Sequence, residues 1–148
     1  MDASVVVDAS VWVSWLITQD ANHNISRLWM ERYIKTGGLL VAPALALIEI
    51  SAAISRQTGQ IAQAKEVAKD LSSVRTMRFV PLDSVLIRVA VDVAADLKLR
   101  AGDTTYVAVA YQLKIPLVSW DKEQLQRAGR LTRTYTPSTY PFELSEQP

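Results

Sequence analysis

Apolar positions along this chain alternate between short unbroken runs and stripes at helical spacing. Val5-Val6-Val7 is a continuous β-branched run, the pattern of a strand buried on both faces of a parallel sheet. The spacing then predicts helices over 11–17 and 24–36, the second stopped by Gly37-Gly38. A second strand covers 39–42 and ends at Pro43, which suits the first turn of a helix running to about Arg56. Leu45, Ile48 and Ala52 would form its inward face, and Thr58-Gly59 terminates it. A further helix covers 61–71, and a third strand covers 77–82, with Asp83 or Ser84 as the cap of a helix whose stripe is Leu86, Ala90, Val93 and Leu97. A helix opening at Asp103 presents Val107, Ala110 and Tyr111 on one face, and 115–120 reads as the fourth strand. Asp121-Lys122-Glu123-Gln124 resembles a capping box for a short helix that Gly129 ends, and 131–136 is the fifth strand. The tail, 137–148, carries proline and polar residues and is assigned no regular structure. Strands alternating with helices define an α/β chain with a parallel sheet covered on both faces.

Four acids interrupt this apolar pattern. Asp8 closes the first strand, Glu49 lies among apolar helix residues, Asp103 follows Gly102, and Asp121 closes the run Leu117-Val118-Ser119-Trp120. In open α/β sheets ligands bind beyond the carboxyl ends of the strands, where strand order reverses, and Asp8 and Asp121 both follow strands in this way. Asp8, Asp103 and Asp121 also fit as ordinary helix N-caps. Glu49 has Leu45, Ala46, Ala52 and Ala53 as its helical neighbours and Arg56 out of easy reach, so a solvated surface position is its alternative. Like charges ~4 Å apart repel by roughly 4 kcal/mol per pair at an effective dielectric of 20, so converging carboxylates must protonate, stay apart or bind cations. Oxygen-only ligands select hard ions, Mg²⁺ first and Mn²⁺ second.

Composition narrows the chemistry. The 148 residues suit one domain, 1–148, and the absence of cysteine removes disulfides, thiolate zinc sites and thiol nucleophiles, and fits a cytoplasmic setting. Asp2 stands where a secretory signal would be positive, and no apolar run approaches the length of a membrane span. The 49% hydrophobic fraction fits either a well-filled core or an apolar face covered by another subunit. Net charge is only +1, but if metal neutralised the four acids the remaining surface would be basic, with Arg127, Arg130 and Arg133, Arg75 and Arg78, and Lys98 and Arg100 in clusters. Taken singly, each cluster reads as solvated surface charge. His23, the sole histidine, reads as a surface-loop residue, and the five glycines form neither GxGxxG nor GxxxxGK[ST]. Trp12, Trp15, Trp29 and Trp120 fall in apolar periodic segments and read as core rather than as base-stacking platforms.

The ordered set Val5-Val6-Val7-Asp8-Ala9-Ser10, Glu49-Ile50, Leu99-Arg100-Ala101-Gly102-Asp103 with Tyr106 and Ala108, and Leu117-Val118-Ser119-Trp120-Asp121 resembles a PIN domain. Within that superfamily it is most similar to the small VapC-type toxins, over nearly the whole chain. The resemblance implies a three-layer α/β/α fold with a five-stranded parallel sheet, and a carboxylate pocket that binds Mg²⁺ or Mn²⁺ and cleaves RNA. It implies Asp8, Glu49, Asp103 and Asp121 as catalytic and metal-binding residues, Asp8 and Asp103 foremost, with Ser10 and Ser119 orienting the pocket. It further implies a homodimer, bound to a small antitoxin whose tail enters the active-site groove. Ser119 in place of threonine and Thr104 in place of alanine depart mildly from the family pattern. A non-catalytic PIN-like module binding RNA or protein is the alternative of a different class. A haloacid-dehalogenase-like phosphatase would need an aspartate where Ser10 stands, and a receiver-like domain would need a second acid beside Asp8.

Overall fold

The computed structural model describes residues 3–142. Five strands, β1 (Ser4–Val7), β2 (Leu39–Pro43), β3 (Met77–Val80), β4 (Leu117–Val118) and β5 (Thr134–Tyr135), form one sheet in the order β3-β2-β1-β4-β5. Every pairing is parallel, with Val5 opposite Leu40 and Val7 opposite Val118. The valines of β1 are fully buried, as a central strand covered on both faces requires.

Seven helices connect the strands: α1 (Ala9–Leu16), α2 (His23–Lys35), α3 (Leu45–Thr58), α4 (Ile61–Ser73), α5 (Ser84–Leu97), α6 (Ala101–Leu113) and α7 (Lys122–Ala128). From β1 the chain steps to β2 and β3 in one direction, then crosses back to β4 and β5. Right-handed crossovers therefore put α1 to α4 on one face and α5 to α7 on the other. The expected five-stranded parallel α/β fold is the one observed. Among the described residues no helix is long and apolar enough to cross a membrane.

Three local expectations change. Pro43 ends β2 instead of opening α3, and α3 buries Ala46, Ile50, Ala53 and Ile54 while Ile48 is 67% exposed. The stretch is apolar nearly all round, so periodicity allowed two faces. Packing against the neighbouring α1 and α4 selects the face that carries Ala46, Ile50, Ala53 and Ile54. Helix α6 opens at Ala101, with Arg100 as its N-cap, and is buried without interruption from Thr104 to Ala110, whereas Tyr111 is exposed. It lies against β1 and β2 as an internal helix, so it carries no single stripe. His23 opens α2, where its Nδ1 lies 2.9 Å from the Ser14 carbonyl oxygen, so it is not a loop residue.

The tryptophans serve the scaffold. Trp12 and Trp29 are core, and the Trp12 indole donates to the Val7 carbonyl at 2.8 Å, tying α1 to the end of β1. The Trp120 indole donates to Ser26 Oγ at 2.9 Å, and Ser26 Oγ lies 2.6 Å from Ser14 Oγ. Residues 137–142 contain no strand or α-helix, but Tyr140 packs edge-on against Trp29 and Tyr33, and Phe142 is buried beside them. The remaining tail, 143–148, lies outside the described residues.

Gly38, which leads into β2, has no room for a side chain. A Cβ there would lie 2.6 Å from the Ala3 carbonyl oxygen and 2.7 Å from the Tyr33 hydroxyl. Gly38→Ala is therefore expected to cost about 1–3 kcal/mol through overpacking, read as a lower urea midpoint with an unchanged m-value.

Candidate functional site

Strands β1 and β4 are neighbours whose outgoing chains run to opposite sides of the sheet, which opens a crevice at their carboxyl ends. Asp8 and Asp121 stand there as the N-caps of α1 and α7. Asp8 Oδ2 accepts the Ser10 N–H at 2.9 Å, and Asp121 Oδ1 accepts the Gln124 N–H at 3.1 Å. The capping reading holds for both, and it is compatible with a second use, because each cap engages one carboxylate oxygen. Asp103 is different: it occupies the first turn of α6, near the positive end of the helix dipole, and Arg100 is the cap.

Glu49 reaches the crevice from α3. It is half-buried, and its Oε1 accepts a 2.7 Å hydrogen bond from the hydroxyl of Tyr106, which is buried in α6. Gly102 of α6 lies beside Glu49, where a Cβ would sit in ordinary contact 3.7 Å from Glu49 Oε2. Two serines join the strand exits. Ser10 Oγ accepts the Trp120 N–H and Ser119 Oγ accepts the Asp121 N–H, each at 3.0 Å, and the two hydroxyl oxygens lie 3.4 Å apart.

Electrostatics link the acids. Burial pushes the Glu49 carboxyl above its ordinary pKa; the Tyr106 hydrogen bond opposes the rise, and the charges of Asp8 and Asp103 add to it. Burial also raises Asp103, reinforced by Asp8 and Asp121, with Arg100 pulling the other way. The Tyr106 phenol is pushed far up by burial and then by Glu49, so it remains a proton donor across the neutral range. The four acids thus stand in one field. Even so, no three of the ionisable side chains described here close on a common point tightly enough to hold an ion. Neutral donors take up individual oxygens of these acids: the Tyr106 hydroxyl on Glu49 and the Gln124 carboxamide on Asp8. An all-oxygen set with no imidazole beside it suits a hard divalent cation, for which the carboxylates would close inward.

Two neighbours of the acids were not evident from the residue pattern. Tyr106 entered only through the family resemblance, since a tyrosine in a helix buried all round gives no periodic signal. The spacing Asp121-x-x-Gln124 predicts a capping box. The forward half is present, but the Gln124 side chain does not return to the Asp121 N–H, which Ser119 already occupies; the carboxamide reaches Asp8 and Asp103 instead. The available signal was its spacing from Ala128, which puts Gln124 on the buried side of α7.

Comparison with known proteins agrees with this architecture. The PIN domain family matches residues 5–131. Among curated proteins none matches significantly. Several solved structures share the fold at low identity. VapC20 of Mycobacterium tuberculosis, a sarcin-ricin-loop-cleaving toxin, superposes with TM-score 0.69 at 20% identity, covering 81% of this chain and 92% of its own. FitAcB of Neisseria gonorrhoeae gives 0.68 at 16%, covering 92% and 99%. PAE2754 of Pyrobaculum aerophilum gives 0.64 at 21%, covering 99% and 98%. With its parallel sheet, its strand-end acids and a family match over most of its length, the chain belongs to the PIN-domain family.

Proposed function

We propose that the protein is an Mg²⁺- or Mn²⁺-dependent endoribonuclease that hydrolyses RNA phosphodiester bonds. The observation that carries this reading is the gathering of Asp8, Glu49, Asp103 and Asp121 around one crevice, where burial and mutual repulsion raise the proton affinity of Glu49 and Asp103. Such a cluster is relieved most completely by a divalent cation. The fold it shares with a toxin that cleaves an RNA loop favours RNA as the substrate.

In this reading Asp8 and Asp103 are the principal ligands, with Glu49 and Asp121 completing the anionic wall. Bound metal would supply a water of lowered pKa and neutralise charge developing at phosphorus. Tyr106 holds Glu49 by its hydroxyl, and the Ser10–Ser119 pair fixes the strand exits that carry Asp8 and Asp121. Arg100, whose charge lowers the proton affinity of Asp103, supplies a cation for substrate phosphate in this reading. We further propose that the chain acts in the cytoplasm as a homodimeric toxin of a VapBC-type pair, with a small antitoxin as its partner. Related folds include VapBC2 of Rickettsia felis and FitAB, each determined with DNA.

Asp8→Asn and Asp103→Asn should each fold, with RNA cleavage reduced roughly 100-fold or more, at or beyond the upper end of losses seen for outer-shell changes at metal sites. EDTA should abolish cleavage by the wild-type chain, and Mn²⁺ should restore it. Cleavage that persists in EDTA defeats the proposal.

Stability gives a separate readout. Because the folded-state pKa of Glu49 is raised, its contribution is present below the ordinary carboxylate pKa and is lost as pH rises through the raised value. Glu49→Gln keeps an acceptor for Tyr106, so without divalent ions it should melt above the wild type at pH 7 and match it near pH 3. Saturating Mg²⁺ should shrink or reverse the neutral-pH difference, since binding stabilises only a chain that holds the ion.

A further inference from the structure

Gln124 is fully buried in the first turn of α7. Its Nε2 donates to Asp8 Oδ1 and to the main-chain carbonyl of Asp103, both at 3.2 Å. Both partners are acceptors, so the amide orientation is determined: the flipped form would set its oxygen against a carboxylate and a carbonyl. The Oε1 atom is buried and has no hydrogen-bond partner among the described residues. A carboxamide with an orphaned oxygen fills a core poorly: an apolar side chain of similar volume would bury no unpaired oxygen of its own, but it would take away the donor that Asp8 Oδ1 receives. What the carboxamide provides is one nitrogen joining two of the acid-bearing elements, β1 through Asp8 and α6 through Asp103.

We propose that Gln124 is a positioning residue of the carboxylate site, its carboxamide fixing Asp8 relative to the turn that carries Asp103 so that a divalent ion meets two acids already aligned. The proposal rests on the metal-dependent reading above. A neutral donor suits the task. It orients Asp8 without cancelling the negative charge that attracts the ion, whereas a lysine or arginine at this position would satisfy the carboxylate with its own charge. Outer-shell hydrogen bonds of this kind set the orientation of carboxylate ligands in metal sites.

The test uses the full chain and Gln124→Met, which keeps length and approximate volume and removes both amide groups. Calorimetric Mn²⁺ titration of the folded variant should show affinity weakened on the order of 10-fold, the usual effect of losing an outer-shell partner. A purely space-filling role predicts Mn²⁺ affinity within about twofold of wild type, which would overturn the proposal. A second measurement needs no variant. In the ¹⁵N-labelled wild-type chain the Gln124 side-chain amide pair should shift with Mg²⁺ at the same midpoint as the Asp8 main-chain amide, and a pair unmoved at saturation overturns the proposal even if the methionine variant fails to fold. If the wild-type chain has no Mn²⁺ site that Asp103→Asn removes, the nuclease reading falls and this proposal with it. Wild-type binding that Gln124→Met leaves unchanged removes this proposal alone.

Discussion

Partial burial of carboxylates that feel one another's charge is the constraint on which the end of this molecule at the strand exits depends. Asp8, Glu49, Asp103 and Asp121 come from four separate segments, and the strand order β3-β2-β1-β4-β5 gives them a common crevice. The reversal between β1 and β4 sends α1 and α7 away in opposite directions, which opens the space. Helix α6, buried from Thr104 to Ala110, brings Asp103 to the rim from the other layer. Burial first, and then the charges of the neighbouring acids, raise the proton affinities of Glu49 and Asp103.

The neighbouring groups are mostly neutral donors. Tyr106 serves Glu49, Gln124 serves Asp8, and main-chain N–H groups serve Asp8 and Asp121 through the caps. These bonds orient the carboxylates and leave their charge in place. Farther out, the Trp120–Ser26–Ser14 chain and the Trp12 bond to Val7 brace α1, α2 and the strand exits. Polar groups inside this fold thus concentrate around the crevice and the elements that hold it.

Much of the architecture was legible because its signals are local. The β-branched run of β1, the Gly37-Gly38 stop, Gly59 in the left-handed conformation and the Asp83 cap each follow from backbone and side-chain preferences read over a few residues. The acids stood out because an ionisable residue next to core sequence needs a compensating environment. What remained hidden depends on contacts between distant segments. The rotation of α3 is settled by packing, since Ile48 and Ile50 are equally apolar yet only Ile50 is buried. The start of α6 at Ala101 and the use of Gln124 likewise depend on neighbours that sequence spacing does not identify. Asp121-x-x-Gln124 has the form of a capping box, and only the position of Ser119 diverts the glutamine to Asp8 and Asp103.

A crystal of the full chain soaked in Mn²⁺ and measured at the manganese absorption edge addresses the central claim most directly. An anomalous peak between Asp8 and Asp103, with Glu49 and Asp121 drawn toward it, is the expected result. A map with no peak in the crevice at saturating Mn²⁺, or with its only strong peak elsewhere, would contradict the assignment of these acids to a metal site.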